Sequence, residues 1–142
     1  MPNPLDTAGV YAIVNTVNHL LYIGSAEHIA TRWKVHVRDL QKGGHHNVDL
    51  QRDWNEYGAD VFCIEVLTTI ELHPRTWKAD ARNLRILERQ FIDEHLDHLY
   101  NIMAPTPDGV KTEAIRPRYQ KPWSQKRAIS QYLAQKRRDE QG

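Results

Sequence analysis

The sequence predicts an α+β fold: a small three-stranded antiparallel sheet flanked by three helices, followed by a basic C-terminal helical tail. Three observations predict it. Two short β-rich runs, 9–15 and 20–24, are separated by turn residues. Three later stretches carry apolar residues at helical spacing. Charge also changes sign near residue 110: residues 1–110 hold 10 Lys/Arg against 15 Asp/Glu, net −5, whereas 111–142 hold 9 against 3, net +6.

Gly9 to Asn15 reads as the first strand and Leu20 to Gly24 as its hairpin partner, with Asn15-Thr16-Val17-Asn18 supplying the turn. Ser25 is placed to cap a helix over about 26–41, with Ile29, Trp33, Val37 and Leu40 as its apolar stripe and Gly43-Gly44 as its end. Asn47 caps a second helix with Leu50, Trp54 and Tyr57 on one face, broken at Tyr57-Gly58-Ala59-Asp60. Val61 to Thr68 is the third strand, with Phe62, Ile64 and Val66 on one side. After His73-Pro74-Arg75, a helix over about 77–96 presents Ala81, Leu84, Leu87, Phe91 and Ile92. Leu99 to Ile102 is an extended segment able to close the domain, which is expected to occupy residues 5–103. The remainder, 104–142, reads as a linker from Ala104 to Gly109 and a basic tail, with a possible DNA-binding helix at 124–138 capped by Ser124.

Composition narrows the class. The chain has 142 residues, which suits one ordinary domain and an appendage. The single cysteine, Cys63, allows no internal disulfide, and the first residues lack the pattern of a secretion signal, so a cytoplasmic location is expected. No apolar run is long enough for a membrane span, so no membrane partner is expected. A zinc domain is disfavoured despite 8 histidines: His45-His46 are adjacent, Cys63 lies in a strand, and there is no CxxC. The basic tail is the expected polyanion-binding element, through neutralised phosphates and released counterions, although a solvated tail would have the same composition.

Three features carry candidate chemistry. Tyr11 and Tyr22 fall on partnered strands where two phenols can project from one sheet face, though strand tyrosines ordinarily just pack. Arg32 and His36 are four apart on the first helix and share a side of it. A guanidinium fork suits phosphate oxygens and an imidazole can relay a proton, yet a surface Arg and His are common. Glu88 interrupts the apolar face made by Leu84, Phe91 and Ile92. A carboxylate there needs compensation, from a hard divalent cation or from an internal salt bridge such as one to Arg32.

Taken in order, Gly9-Val10-Tyr11, Leu21-Tyr22-Ile23-Gly24, Arg32 with His36, and the helix-borne Glu88 resemble the signature of the GIY-YIG nuclease family. His45 after Lys42-Gly43-Gly44, Leu50 to Asn55 with Tyr57-Gly58, and Tyr100-Asn101-Ile102 extend the resemblance over about residues 8–103, especially to phage-type homing endonucleases. Val10 stands where the family has isoleucine, a conservative change. The resemblance implies hydrolysis of DNA phosphodiesters with one divalent metal, Mg²⁺ or Mn²⁺, on Glu88. It implies Arg32 on the non-bridging oxygens and Tyr11 as general base aided by His36. Tyr22 would orient water or phosphate. His45 would be an accessory residue positioning phosphate or Tyr22, and Asn101 would hold the helix carrying Glu88.

DNA contacts are expected from Lys34, Arg38, Lys42 and Arg52 near the first two helices and from Lys121, Trp123, Lys126 and Arg127 in the tail. A homodimer is one route to double-strand cleavage. The alternative is a nucleic-acid-binding module with this fold and no turnover. Homing, restriction and repair roles all remain open on the sequence.

Overall fold

The computed structural model describes residues 3–107, 112–115 and 138. Its core is a three-stranded antiparallel sheet of β1 (Ala8–Asn15), β2 (Leu21–Ala26) and β3 (Phe62–Ile70), in the order β2-β1-β3. Two helices, α1 (Ile29–Lys42) and α2 (Val48–Tyr57), separate β2 from β3, and α3 (Trp77–Glu94) follows β3.

The central strand explains the layering. Side chains alternate across a strand, so a run buried on both faces must be apolar throughout. β1 reads AGVYAIVN and is almost wholly buried. Tyr11 and Ile13 join one core cluster with Ile29 and Leu40 of α1, Leu50 and Trp54 of α2, and Phe62. Val10 and Ala12 join the other with Leu84 and Ile92 of α3 and Leu99. Helices therefore cover both faces of the sheet.

Local chemistry sets the boundaries. Asn15 Oδ1 accepts from the Val17 N–H at 2.9 Å and so closes the hairpin turn. Gly43 ends α1 at φ 78°, its N–H bonding Leu40 O and that of Gly44 bonding Asp39 O. Asn47 caps α2 by accepting from the Leu50 N–H at 3.0 Å. Gly58, at φ 86°, ends α2 before the chain enters β3.

Four expectations need correction. Ser25 does not cap α1: it pairs with Val10 inside β2, and His28 is the cap, its side chain accepting from the Thr31 N–H. The strand runs two residues past Gly24 because β1 still offers a partner there. Tyr57 lies outside the buried face of α2, 39% exposed at the last helical position. The stretch expected to be linker from Ala104 contributes instead to a hairpin of β4 (Met103–Pro105) and β5 (Thr112–Ala114). It is held because Ala104 is buried in the α3-side core, with Ile115 packed beside it. The possible helix at 124–138 and the tail residues Lys121, Trp123, Lys126 and Arg127 lie outside the described residues, which reach that stretch only at Arg138.

A buried polar knot closes the domain. Tyr100 Oη donates to Asp53 Oδ2 at 2.6 Å, Asn18 Nδ2 donates to the same oxygen at 3.1 Å, and Asn15 Nδ2 donates to Tyr100 Oη at 3.0 Å. The hairpin turn, α2 and the segment after α3 are thereby joined.

Gly24 gives the first prediction. A Cβ there would lie 2.5 Å from Tyr11 Oη and 2.7 Å from its Cζ. Gly24→Ala must displace the ring, and overpacking of this kind costs about 1–3 kcal/mol. Chemical denaturation should show that loss.

Candidate active site

β1 and β2 set the two phenols. Tyr11 pairs with Gly24 and Ile13 with Tyr22, so the tyrosines share one face but sit diagonally, two positions apart, rather than directly opposite. Tyr11 lies over the space that Gly24 leaves empty. On β3, the register with β1 slips next to Tyr11: Val10 faces Thr68 while Tyr11 faces Val66. Such a bulge bends the ladder where a side chain must be aimed.

Arg32 and His36 project from α1 towards this face. Arg32 is exposed and His36 is only 3% exposed, since position 36 falls within the buried stripe of Ile29 and Leu40. His36 Nε2 lies 2.6 Å from Tyr11 Oη, and the Arg32 guanidinium donates to the same phenol. On its other side, His36 Nδ1 lies 2.8 Å from His45 Nε2. Tyr22 Oη lies 2.8 Å from His46 Nε2, and its ring meets His36 and His45 edge-on.

Glu88 arrives from the opposite side of the sheet. α3 packs on the Val10–Ala12 face, but β2 is an edge strand, and the carboxyl bonds the side chain and backbone of Ser25 there. Its charge is felt by both Tyr11 and Tyr22, and Arg32 acts back on it. Tyr11 and Tyr22 thus both contact His36, and Arg32 and Glu88 act electrostatically on the two phenols. Beside them a groove of about 530 Å³ runs between α1 and α3, lined by Ser25, Thr31, Arg32, Ala81 and Arg85 among others.

The remaining expected residues are distributed as follows. Asn101 grips β2 next to Gly24: Ile23 N–H donates to its Oδ1 and its Nδ2 donates to Ile23 O, each at 2.8 Å. It therefore braces the strand bearing Tyr22. His45 is buried between His36 and α2. Lys34, Arg38 and Lys42 recur every fourth residue on α1, a ridge that drifts from about 160° to about 80° round the helix from Arg32. Arg38 pairs with Asp39 at 3.5 Å and Arg52 with Asp49 at 3.2 Å.

Sequence reasoning missed Ser25 as a partner of Glu88 and His46 as a partner of Tyr22. Ser25 was hidden by its value as a helix cap. The adjacency of His45 and His46 was the one available signal for the second.

Burial dominates the electrostatics. It pushes Tyr11 up to about 12, with Arg32 working against it, and raises Tyr22 further, with Tyr11 and Glu88 adding to the effect. Burial also raises Glu88 above the ordinary carboxylate range, opposed by its bonds to Ser25 and by Arg32. His36 is lowered to about 3, by burial first and then by His45 and Arg32; His45 is lowered to about 4 by burial and His46. Both folded values lie below the unfolded value of about 6.5, so the fold prefers neutral rings. Their contribution to stability is complete above about pH 6.5 and is lost as pH falls towards the folded values. The thermal midpoint should therefore fall between pH 6.5 and 4, and less steeply in His36→Gln.

A sheet with helices on both faces, with two strand tyrosines, an arginine–histidine helix and a glutamate at its edge, defines a class of catalytic domain. The chain belongs to the GIY-YIG family: the family model described as "GIY-YIG catalytic domain" matches residues 7–101. Among solved structures it is similar to the catalytic domain of homing endonuclease I-TevI, at 34% identity and TM-score 0.57, covering 68% of this chain and 98% of that one. A mutant of that domain matches at 35% identity and TM-score 0.59, covering 70% and 96%. Two curated relatives are also similar. Intron-associated endonuclease 1 of Enterobacteria phage T4 is 44% identical over 63 residues, 44% of this chain. Probable intron-encoded endonuclease 1 of Neurospora crassa is 35% identical over 102 residues, 70% of this chain. The matched regions span only 25% and 31% of those relatives.

No helix among the described residues is long and apolar enough to cross a membrane.

Proposed function

We propose that this chain is a metal-dependent endonuclease that hydrolyses DNA phosphodiester bonds. The observation that carries it is the contact of Tyr11 Oη with His36 Nε2 at 2.6 Å, with the exposed Arg32 of the same helix lining the groove between α1 and α3. The endonuclease names of its relatives support the reading.

The donors fit one hard cation. Among the described residues no group of three or more His, Cys, Asp or Glu could hold a metal ion. A lone, partly buried carboxylate, raised in pKa by that burial, suits Mg²⁺ or Mn²⁺, which would keep much of its water and complete its shell with phosphate oxygen. Glu88 would hold it, and the bound ion would supply Lewis-acid stabilisation of the leaving 3′ oxygen. Arg32, exposed beside the groove, binds the non-bridging oxygens, where charge grows in the transition state. Tyr11 acts as base towards the attacking water, with His36 and Arg32 on its oxygen. Tyr22, held by His46, orients water or phosphate. His45 is an accessory to this set, and Asn101 keeps β2 in register beneath it.

The test is plasmid cleavage with and without Mg²⁺. Metal-dependent cutting supports the proposal. DNA binding without cutting, under all divalent ions tried, selects the non-catalytic binding module instead. Lys34, Arg38, Lys42 and Arg52 are proposed to meet phosphates beyond the scissile one. The tail, with Lys121, Trp123, Lys126 and Arg127, is proposed to add most of the attraction to DNA. Removing 111–142 deletes a net charge of +6. It should flatten the dependence of log affinity on log salt, by about 0.9 for each phosphate no longer neutralised. An unchanged slope in a salt titration removes the tail from the interface.

A further inference from the structure

The hydrogen bonds around His45 have only one consistent proton arrangement. A backbone N–H can only donate, and that of Asn47 points at His45 Nδ1 at 3.0 Å. This nitrogen must accept, so the proton of a neutral His45 sits on Nε2. His45 Nε2–H faces His36 Nδ1 at 2.8 Å, which must accept in its turn. The His36 proton is then on Nε2, facing Tyr11 Oη at 2.6 Å. The reverse order would leave His45 with a lone pair on both nitrogens, an imidazolate. A cationic His36 would set two N–H groups against each other.

The start of this chain of bonds is well anchored. Asn47 caps α2 through its Oδ1, and its Nδ2 donates to Tyr100 O at 2.7 Å. Its N–H is therefore fixed by two elements that do not belong to the site.

We propose that the Asn47 backbone amide, acting through His45 and His36, holds Tyr11 Oη as a hydrogen-bond acceptor on its buried side. His36 is then a donor to the phenol oxygen and does not receive its proton. The phenolic hydrogen turns away from His36 and from Arg32, which can only donate, towards the side where Tyr22 of β2 and Glu88 of α3 act on the phenol. His46 and Asp39 complete the charged and titratable groups around the relay. His45 is a positioning residue. The catalytic consequence rests on the role of Tyr11 proposed above; the proton arrangement does not.

Long-range ¹H–¹⁵N correlation spectra of the full chain, at neutral pH without metal, read the tautomers directly. His36 and His45 are both expected as neutral Nε2–H rings. An Nδ1–H tautomer in either, or a cationic His36, overturns the proposal. His45→Leu removes the donor, and His36 should then populate the Nδ1–H form or titrate nearer pH 6.5, the ordinary histidine value of about 6.5. His45→Gln, which retains a side-chain N–H, should restore the Nε2–H form and the wild-type pH–rate profile. A leucine variant whose His36 tautomer and pH–rate profile match wild type overturns the relay; should that variant not fold, the wild-type spectra decide. A wild type with both expected tautomers that does not cut DNA refutes the nuclease reading and supports the proton arrangement.

Discussion

Glu88→Gln is expected to lose metal-dependent cleavage almost completely while the protein stays folded. Metal-ion catalysis contributes several kcal/mol to the transition state, so a drop of about 10³-fold or more is the scale to look for. Stability should move the other way. The Glu88 carboxyl is raised by burial, so without metal it contributes most below its unfolded pKa, and that contribution is lost as pH rises through the folded value. Glutamine carries no ionisable group, so the variant is free of the cost that burial puts on the Glu88 carboxylate. The metal-free variant should melt no lower than the metal-free wild type. Added Mg²⁺ should raise the wild-type stability with the logarithm of one plus the ratio of free Mg²⁺ to Kd, without levelling off at saturation, and leave the variant unmoved. Calorimetry with and without Mg²⁺, beside single-turnover cleavage, checks both halves. A variant that still cuts at the wild-type rate removes Glu88 from the chemistry.

Arg32→Ala should be almost as severe. A fixed donor to charge that develops in the transition state is worth about 10²–10³-fold in rate. The side chain is exposed, so its loss should leave the thermal midpoint almost unchanged. It also donates to Tyr11 and opposes the rise of that phenol. The residual activity of Arg32→Ala should therefore need a higher pH than wild type. Arg32→Lys keeps a charge but not the planar fork and should recover only part of the rate. A pH–rate series on the three proteins measures this. Equal KM and kcat in alanine variant and wild type would exclude the role.

Much of the fold was legible because its signals are local. The apolar run of β1, the stripe of α1 and the Asn47 cap each follow from a few neighbouring residues. The errors fell where tertiary partners override local preference. Ser25 has the chemistry of a cap, yet the β1 ladder claims it for β2. Ala104 and Pro105 open a stretch of linker composition, yet the buried methyl of Ala104 draws the strand Met103–Pro105 onto the α3-side core. The candidate site was legible as a set of residues but not as a geometry. The diagonal offset of Tyr11 and Tyr22 depends on register, and the route of Glu88 around β2 depends on how α3 lies on the sheet. Burial of His36 follows from its place between Ile29 and Leu40, which helical spacing already allowed. The partnership of His46 with Tyr22 had only its adjacency to His45 as a signal, because a loop residue carries no periodicity.

The position of β1 has a consequence for motion. Tyr11 rides on a strand bonded along both edges and covered on both sides, which sets it at the costly end of the range of local openings. Glu88 and His46, held at a border strand and in a connecting loop, have no such guard. Breathing of the pocket therefore belongs to its rim more than to the reacting oxygen.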